Sequence, residues 1–150
     1  MKPTPTGWPR LSASVFYDDP RAAIAWLCSA FGFEVRLKVE GDDGAIVHSE
    51  LCFDEALVMV GSTRGKEPWQ SLYRSPRSID GAISQALALH VDDVDAHHAR
   101  AAAAGAKIVR EPRTDDYGDD YWVDRSYGAL DPEGHLWWFI ERIRSAHERK

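Results

Sequence analysis

His48 and Glu50 are the side chains of this chain best suited to acid–base chemistry. They are two residues apart in an apolar stretch that predicts a β-strand, so both side chains share one face. An apolar cavity would raise the pKa of Glu50, which suits a general base with His48 as its partner. The alternative is that the two side chains pair with each other or with solvent.

A second interpretation adds His90, which lies in another predicted strand. His48, Glu50 and His90 would then resemble a two-histidine, one-carboxylate metal site. In the alternative, His90 ends its strand at the surface. His97 and His98, adjacent on a predicted helix, are interpreted as a solvated or packing pair.

Charge and composition exclude several functional classes. A formal net charge of −6 argues against nucleic-acid binding, which needs a concentrated basic face, and the basic residues within 142–150 are expected to form a solvated tail. No apolar run is long enough for a membrane span, and the N-terminal residues lack the apolar stretch of a signal peptide. Cys28 and Cys52 lie in apolar elements, as expected for reduced, buried thiols in a cytoplasmic protein.

The elements that must position these side chains occur twice. In the first half Asp19 and Pro20 signal a helix start and Gly32 its end, while Asp93 and Gly105 bracket a similar helix in the second half. Strands are predicted at 11–17, 33–39, 46–53, 56–61, 83–91, 107–111, 121–130 and 135–142, with helices from Pro20 and at 94–104. This βαβββ order, repeated, predicts an α+β fold. One domain is expected at 10–142, with halves 10–61 and 83–142, a linker at 62–82, and tails at 1–9 and 143–150.

The chain resembles the vicinal oxygen chelate superfamily, which groups glyoxalase I, bleomycin-resistance proteins and extradiol dioxygenases. The resemblance rests on the paired βαβββ units, the Asp-Asp pair before each helix, the segment FGFE and above all DPEGHLWWF. It covers nearly the whole chain. It implies that paired βαβββ modules form a curved mixed or antiparallel sheet around a cavity, often completed in a homodimer.

Metal-binding members of that superfamily place one ligand at each of four strand positions. On this sequence those positions carry Ser12, Glu50, Ala86 and Trp138. Ala86 has no donor atom, and the Trp138 indole N–H is not a metal ligand. A single carboxylate does not hold a catalytic transition metal, so we expect no metal and no other cofactor, although a divalent ion remains the alternative.

Strand alternation predicts which side chains line the cavity. Candidate ligand-binding residues, drawn from alternate strand positions and one loop, are Ser12, Ser14, Phe16, His48, Glu50, Ala86, Trp122 and Trp138. For Phe16 and Trp138 the alternative is simple core filling. Trp122 belongs to an apparent insertion at 119–123 and is interpreted as part of a lid, a dimer contact, or a longer hairpin packing on its own domain.

Three functions follow from these interpretations. The first is a metal-independent protein, similar to the antibiotic-resistance branch, that binds an aromatic or cationic small molecule between the modules. The second is a lyase, isomerase or dioxygenase that uses Glu50 as a base or metal ligand. The third is a dimeric accessory module with a vestigial cavity. The expected partners are a small molecule and a second copy of the chain, without nucleic acid or membrane.

Overall fold

The structure, a computed structural model, describes residues 1–146 and has the predicted α+β organisation with βαβββ order in each of two compact units. The first unit comprises residues 1–82 and the second begins at residue 83. The elements of the first unit are β1 (Ala13–Tyr17), α1 (Pro20–Phe31), β2 (Glu34–Glu40), β3 (Ile46–Phe53) and β4 (Ala56–Ser62), followed by short 3-10 turns at Pro68–Leu72 and Pro76–Ser78. Those of the second are β5 (Ala86–His90), α2 (Val94–Ala103), β6 (Lys107–Asp116), β7 (Val123–Leu130) and β8 (Leu136–Arg144).

Each unit holds a complete four-stranded mixed sheet. The strand order is β1-β4-β3-β2 in the first unit and β5-β8-β7-β6 in the second. In both sheets the first strand pairs in parallel with the last, and the other pairs are antiparallel. No helix within residues 1–146 is long and apolar enough to cross a membrane.

Helix α1 begins and ends at the predicted signals. The Asp19 carboxylate accepts a hydrogen bond from the Ala22 backbone N–H at 3.0 Å, and Pro20 occupies the first turn. Gly32 ends the helix with φ of 85°, a left-handed conformation that glycine adopts without a steric penalty. Asp93 caps α2 in the same way, accepting from the Ala96 N–H at 2.9 Å.

Strand alternation separates the two faces of the first sheet as predicted. Val15, Tyr17 and Leu51 are buried on the face that α1 covers, where they meet the buried helix residues Leu27 and Phe31. Ser14, Phe16, His48 and Glu50 alternate with these positions and therefore share the opposite face. That opposite face is the one available to a ligand.

The core of the second unit is aromatic. Trp137, Phe139 and Tyr127 are completely buried. His97 packs against the Phe139 ring, and its Nδ1 lies 2.6 Å from the Tyr127 hydroxyl. His98 Nε2 lies 2.9 Å from a Glu111 carboxylate oxygen. The adjacent histidines therefore form a packing pair.

The DPEG segment forms the turn between β7 and β8, organised by Asp131. Its Oδ1 accepts the backbone N–H groups of Glu133, Gly134 and His135, each at 3.1 Å. Its Oδ2 accepts the Trp137 indole N–H at 3.0 Å. One buried carboxylate thus shapes the turn and satisfies the polar atom of the largest core side chain.

Several strand ends differ from the prediction. Strand β6 continues through Pro112 to Asp116 instead of ending at 111, because its register with β7 shifts between Arg110 and Arg113 and frees the proline from the ladder. Strand β8 extends to Arg144, so part of the expected basic tail is paired sheet, while 147–150 lie outside the described residues. Cys28 and Cys52 are free thiols but only half-buried.

Candidate functional site

A cleft of about 530 Å³ lies on the ligand-accessible face of the first sheet. The sheet forms one wall, and the segment from Arg64 to Tyr73 forms the other. The side chains that line the cleft include Ser14, Phe16, His48, Met59, Arg64, Lys66 and Tyr73. This volume lies within the range typical of small-molecule sites.

An aromatic stack forms the apolar part of the cleft. The Phe16 and Tyr73 rings lie 3.6 Å apart between centroids and are inclined by only 12°. The 3-10 turn at Pro68–Leu72 positions Tyr73, whose backbone N–H donates to the Gln70 carbonyl at 3.2 Å. The sequence analysis placed Phe16 here, whereas Tyr73 belongs to the linker at 62–82 and was not among the candidate ligand-binding residues.

The charged lining of the cleft is predominantly cationic. It carries the side chains of Arg64 and Lys66 against one carboxylate, Glu67. Neither cation forms a side-chain hydrogen bond or ion pair with any residue from 1 to 146. The cleft therefore has charge available for an anionic group, although the whole chain is acidic.

His48, Glu50 and Arg36 form a continuous polar array on β2 and β3. Glu50 Oε1 lies 3.0 Å from His48 Nε2, and Glu50 Oε2 accepts from Arg36 Nε at 2.8 Å. Glu50 is almost completely buried, whereas the His48 side chain is 40% exposed and lines the cleft. Arg36 also stacks over the Trp8 ring and donates to the Gly7 carbonyl, which ties the N-terminal arm to this array.

The array corrects the predicted pKa direction of Glu50. Hydrogen bonding to His48 and then to Arg36 lowers the pKa of Glu50, whereas an apolar cavity was expected to raise it. The expected direction was wrong because the hydrogen bonds from His48 and then from Arg36, which lies on the neighbouring strand, outweigh the effect of burial on this pKa. Glu50 is thus a held carboxylate, and His48 is the member of the pair that reaches the cleft.

The other predicted site residues are divided between the two units, with Ser12 in the first and Ala86, His90, Trp122 and Trp138 in the second. Ser12 precedes β1, and Ala86 begins β5 with its side chain exposed. His90 ends β5 and is also exposed, as in the simpler of its two interpretations. Trp138 is half-buried on β8 and Trp122 lies at the tip of the β6–β7 hairpin.

Trp138 is held between two residues that the sequence analysis missed. The Arg110 guanidinium lies over its ring at 4.7 Å from the centroid. Opposite it in the ladder is Gly128, where a Cβ would lie 2.7 Å from the Trp138 ring atom Cζ3. Glycine at this position lets the ring lie flat against β7. A glycine inside a strand was the available signal for this close approach.

The segment 119–123, predicted to be an insertion, lies at the end of the β6–β7 hairpin. The Tyr117 N–H donates to the Trp122 carbonyl at 3.0 Å, which closes the turn. The Arg142 guanidinium lies over the Trp122 ring at 5.1 Å from the centroid. Trp122 thus packs on its own hairpin and on β8, as in the third of the interpretations offered for it.

The residues at the four superfamily ligand positions do not fit a metal ion. Ala86 and Trp138 contribute no donor, and both carboxylate oxygens of Glu50 are already engaged by Arg36 and His48. Across residues 1–146, no three His, Cys, Asp or Glu side chains are grouped so that they could hold a metal.

The fold and these sites define a paired βαβββ protein. A family profile described as the Glyoxalase/Bleomycin resistance protein/Dioxygenase superfamily matches residues 11–139, and the chain belongs to that superfamily. It is 31% identical over 144 residues to an uncharacterized protein of Mycobacterium bovis, covering 93% of this chain and 87% of that protein. Among solved structures it is similar to TioX from Micromonospora sp. ML1, with 31% identity, a TM-score of 0.65, and coverage of 88% and 98% of the two chains.

A more distant likeness extends to FosX, a genomically encoded fosfomycin resistance protein from Listeria monocytogenes. Its TM-score is 0.60 at 15% identity, covering 89% of this chain and 93% of that one. At this identity the likeness shows the fold alone. The superfamily hosts many unrelated chemistries, so function must be argued from the cleft.

Proposed function

We propose that this chain is a metal-independent protein that binds a planar aromatic small molecule carrying an anionic group. The observation that carries this proposal is the Phe16–Tyr73 stack beside Arg64 and Lys66 in one cleft. The ring of the ligand packs against the aromatic stack and Met59. Its anionic group lies near the two cations, and this lining favours an aromatic anion over the cationic ligand suggested by net charge.

Metal independence is part of the same proposal. Its support is the chemistry of the donor positions, together with the ion pair that Arg36 makes with Glu50 at 2.8 Å. A metal at Glu50 would have to displace both Arg36 and His48. Elemental analysis of protein purified without chelator is expected to give no stoichiometric transition metal, and exhaustive EDTA dialysis is expected to leave ligand binding unchanged.

We further propose that the chain acts in the cytoplasm as a homodimer. The support for the dimer is its frequency among superfamily members, and the support for the cytoplasm is the presence of two free cysteines with no disulfide. Light scattering of the purified protein tests the dimer. A mass equal to one chain at micromolar concentration contradicts it.

Two probes that share a ring and differ in charge test the ligand class. Naphthalene-2-sulfonate and naphthalen-2-ylmethylammonium are titrated by calorimetry at low ionic strength. The sulfonate is expected to bind more tightly, because the cleft offers cations. Arg64→Gln is expected to weaken sulfonate binding about 2- to 5-fold, as for a partly screened charge pair, and Phe16→Leu about 10-fold.

Matched variants in the second unit serve as controls. Arg113→Gln removes an exposed guanidinium and Tyr121→Ala an exposed aromatic ring, both remote in sequence from the cleft residues. Both are expected to bind the sulfonate like the parent protein. Equal affinity for the two probes, or a sulfonate affinity that Phe16→Leu and Arg64→Gln leave intact, would refute the proposed ligand class.

A further inference from the structure

We propose that His48 is a general base in the cleft and removes a proton from an uncharged planar aromatic substrate, which becomes an anion. Glu50 and Arg36 are positioning residues for this base. This inference goes beyond binding, and it rests on the proposed use of the cleft as the ligand site. The juxtaposition that carries it is an oriented imidazole, an aromatic stack and two cations around one cavity.

The array fixes the orientation of the imidazole. Glu50 engages Nε2 of His48 at 3.0 Å, and Arg36 fixes the other carboxylate oxygen at 2.8 Å. An ionised carboxylate accepts hydrogen bonds only, so in the neutral imidazole that acts as a base Nε2 carries the proton and Nδ1 holds the lone pair. Nδ1 has no hydrogen-bond partner among residues 1–146, and the side chain borders the cleft.

In this arrangement the catalytic base is oriented by a neighbouring carboxylate. A carboxylate that holds one imidazole nitrogen fixes the tautomer and stabilises the imidazolium after proton transfer. Here Arg36 keeps that carboxylate ionised and in place. The roles are therefore the reverse of those expected from the sequence, because Glu50 positions and His48 accepts the proton.

The remaining lining defines the substrate class. Phe16 and Tyr73 offer a stacking surface for a planar ring. Deprotonation of a neutral acid places negative charge on the substrate, and Arg64 and Lys66 line the same cleft to stabilise it. Glu67 is the one carboxylate in the lining and favours a neutral substrate over a polyanion.

5-Nitrobenzisoxazole is a probe with this chemistry. A base removes the proton from its C3 atom, the C–H electron pair forms the nitrile, and the ring N–O bond breaks. The oxygen leaves as a phenolate, giving coloured 2-cyano-4-nitrophenolate, and the proton passes from His48 to water. The step is an isomerisation followed by proton release, and it needs no oxidant, metal or co-reactant.

The assay measures release of this phenolate with the full-length chain. The parent protein is expected to accelerate the reaction above the buffer rate, and His48→Ala to lower kcat/KM about 100-fold, within the range of general-base contributions. Added imidazole is expected to restore part of the His48→Ala rate, which a purely structural role would not allow. Glu50→Gln is expected to lower kcat about 10- to 100-fold with little change in KM, since it loosens the base without altering the stacking surface.

His90→Asn is the matched control, because this histidine is exposed at the end of β5. It is expected to match the parent rate. His48→Asn, checked by circular dichroism, replaces His48→Ala if the latter fails to fold. A parent rate equal to buffer, or a rate that survives both His48 variants, overturns the base assignment.

The two proposals fail separately. If naphthalene-2-sulfonate binds in calorimetry but the elimination does not depend on His48, the proposed ligand site is supported and the general-base role of His48 is refuted. If neither naphthalene probe binds, the proposed ligand site itself is refuted. A His48→Ala rate that imidazole does not restore assigns the residue a structural role and also overturns the inference.

Discussion

Substitution of Asp131 should destabilise the second unit for two separate reasons. One is the loss of the hydrogen bond to the Trp137 indole, and the other is the loss of the hydrogen bonds within the turn. Oδ2 is the acceptor for the indole N–H of Trp137, which is completely buried, and Oδ1 serves the three turn N–H groups. Asp131→Asn keeps an oxygen for the turn but points an amide N–H₂ at the indole. It should cost about 1–3 kcal/mol, the penalty of a buried donor without an acceptor. Asp131→Ala loses the turn acceptor as well and should cost about 1 kcal/mol more.

Urea unfolding followed by tryptophan fluorescence, with thermal melts alongside, measures these costs. For a chain of this size about 2–4 °C of Tm corresponds to each kcal/mol, so Asp131→Ala should lower Tm by roughly 4–16 °C. Trp137→Phe removes the indole donor, so in that background Asp131→Asn should cost much less than in the parent chain. If Asp131→Asn costs as much in the Trp137→Phe background as in the parent chain, the assignment of the penalty to the indole N–H is refuted.

Two further predictions concern a close approach and a titrating carboxyl group. Gly128→Ala should lower the free energy of unfolding in urea by about 1–3 kcal/mol, because a Cβ at residue 128 would lie 2.7 Å from the Trp138 ring. In a Trp138→Leu background the same substitution should cost much less. An equal cost in that background would contradict a steric overlap with the Trp138 ring. Hydrogen bonds from Thr63 and then Arg77 lower the pKa of Asp18 below its ordinary 3.8. The stability gained is full above about pH 4 and is lost as pH falls through the lowered pKa, so Thr63→Val should destabilise the chain at pH 7, and its difference from the parent should shrink as the pH falls below 4. Parallel stability–pH curves would contradict this.

The repeated fold could be predicted because its signals are local. Asp19, Pro20 and Gly32 define α1 within a few residues of sequence, and β-strand alternation separates the two faces of each sheet. The end of β6 could not be predicted, because Pro112 normally interrupts a strand. The register of β6 with β7 shifts at this point, so Pro112, which has no N–H, removes no hydrogen bond between the two strands.

The candidate site was predictable only in part, because its decisive contacts are not local. The His48–Glu50 pair follows from spacing on one strand, and the structure confirms it at 3.0 Å. Arg36 is 14 residues away from Glu50 along the chain, and no spacing rule identifies it as the partner. Tyr73 reaches Phe16 from the linker between the halves, where sequence patterns are weakest. Consequently the residue types were identified but the pKa direction of Glu50 was not.

Each sheet takes all four strands from its own half of the chain. A substitution in one half therefore leaves the backbone hydrogen bonds of the other unchanged, and the halves are free to diverge at different rates. The two sheets differ in what surrounds these positions. Glu50 is engaged by Arg36 and His48 of its own sheet, whereas Trp138 lies between the Arg110 guanidinium and Gly128. Side chains on one sheet can therefore be exchanged while the strand pairing of the other half is kept.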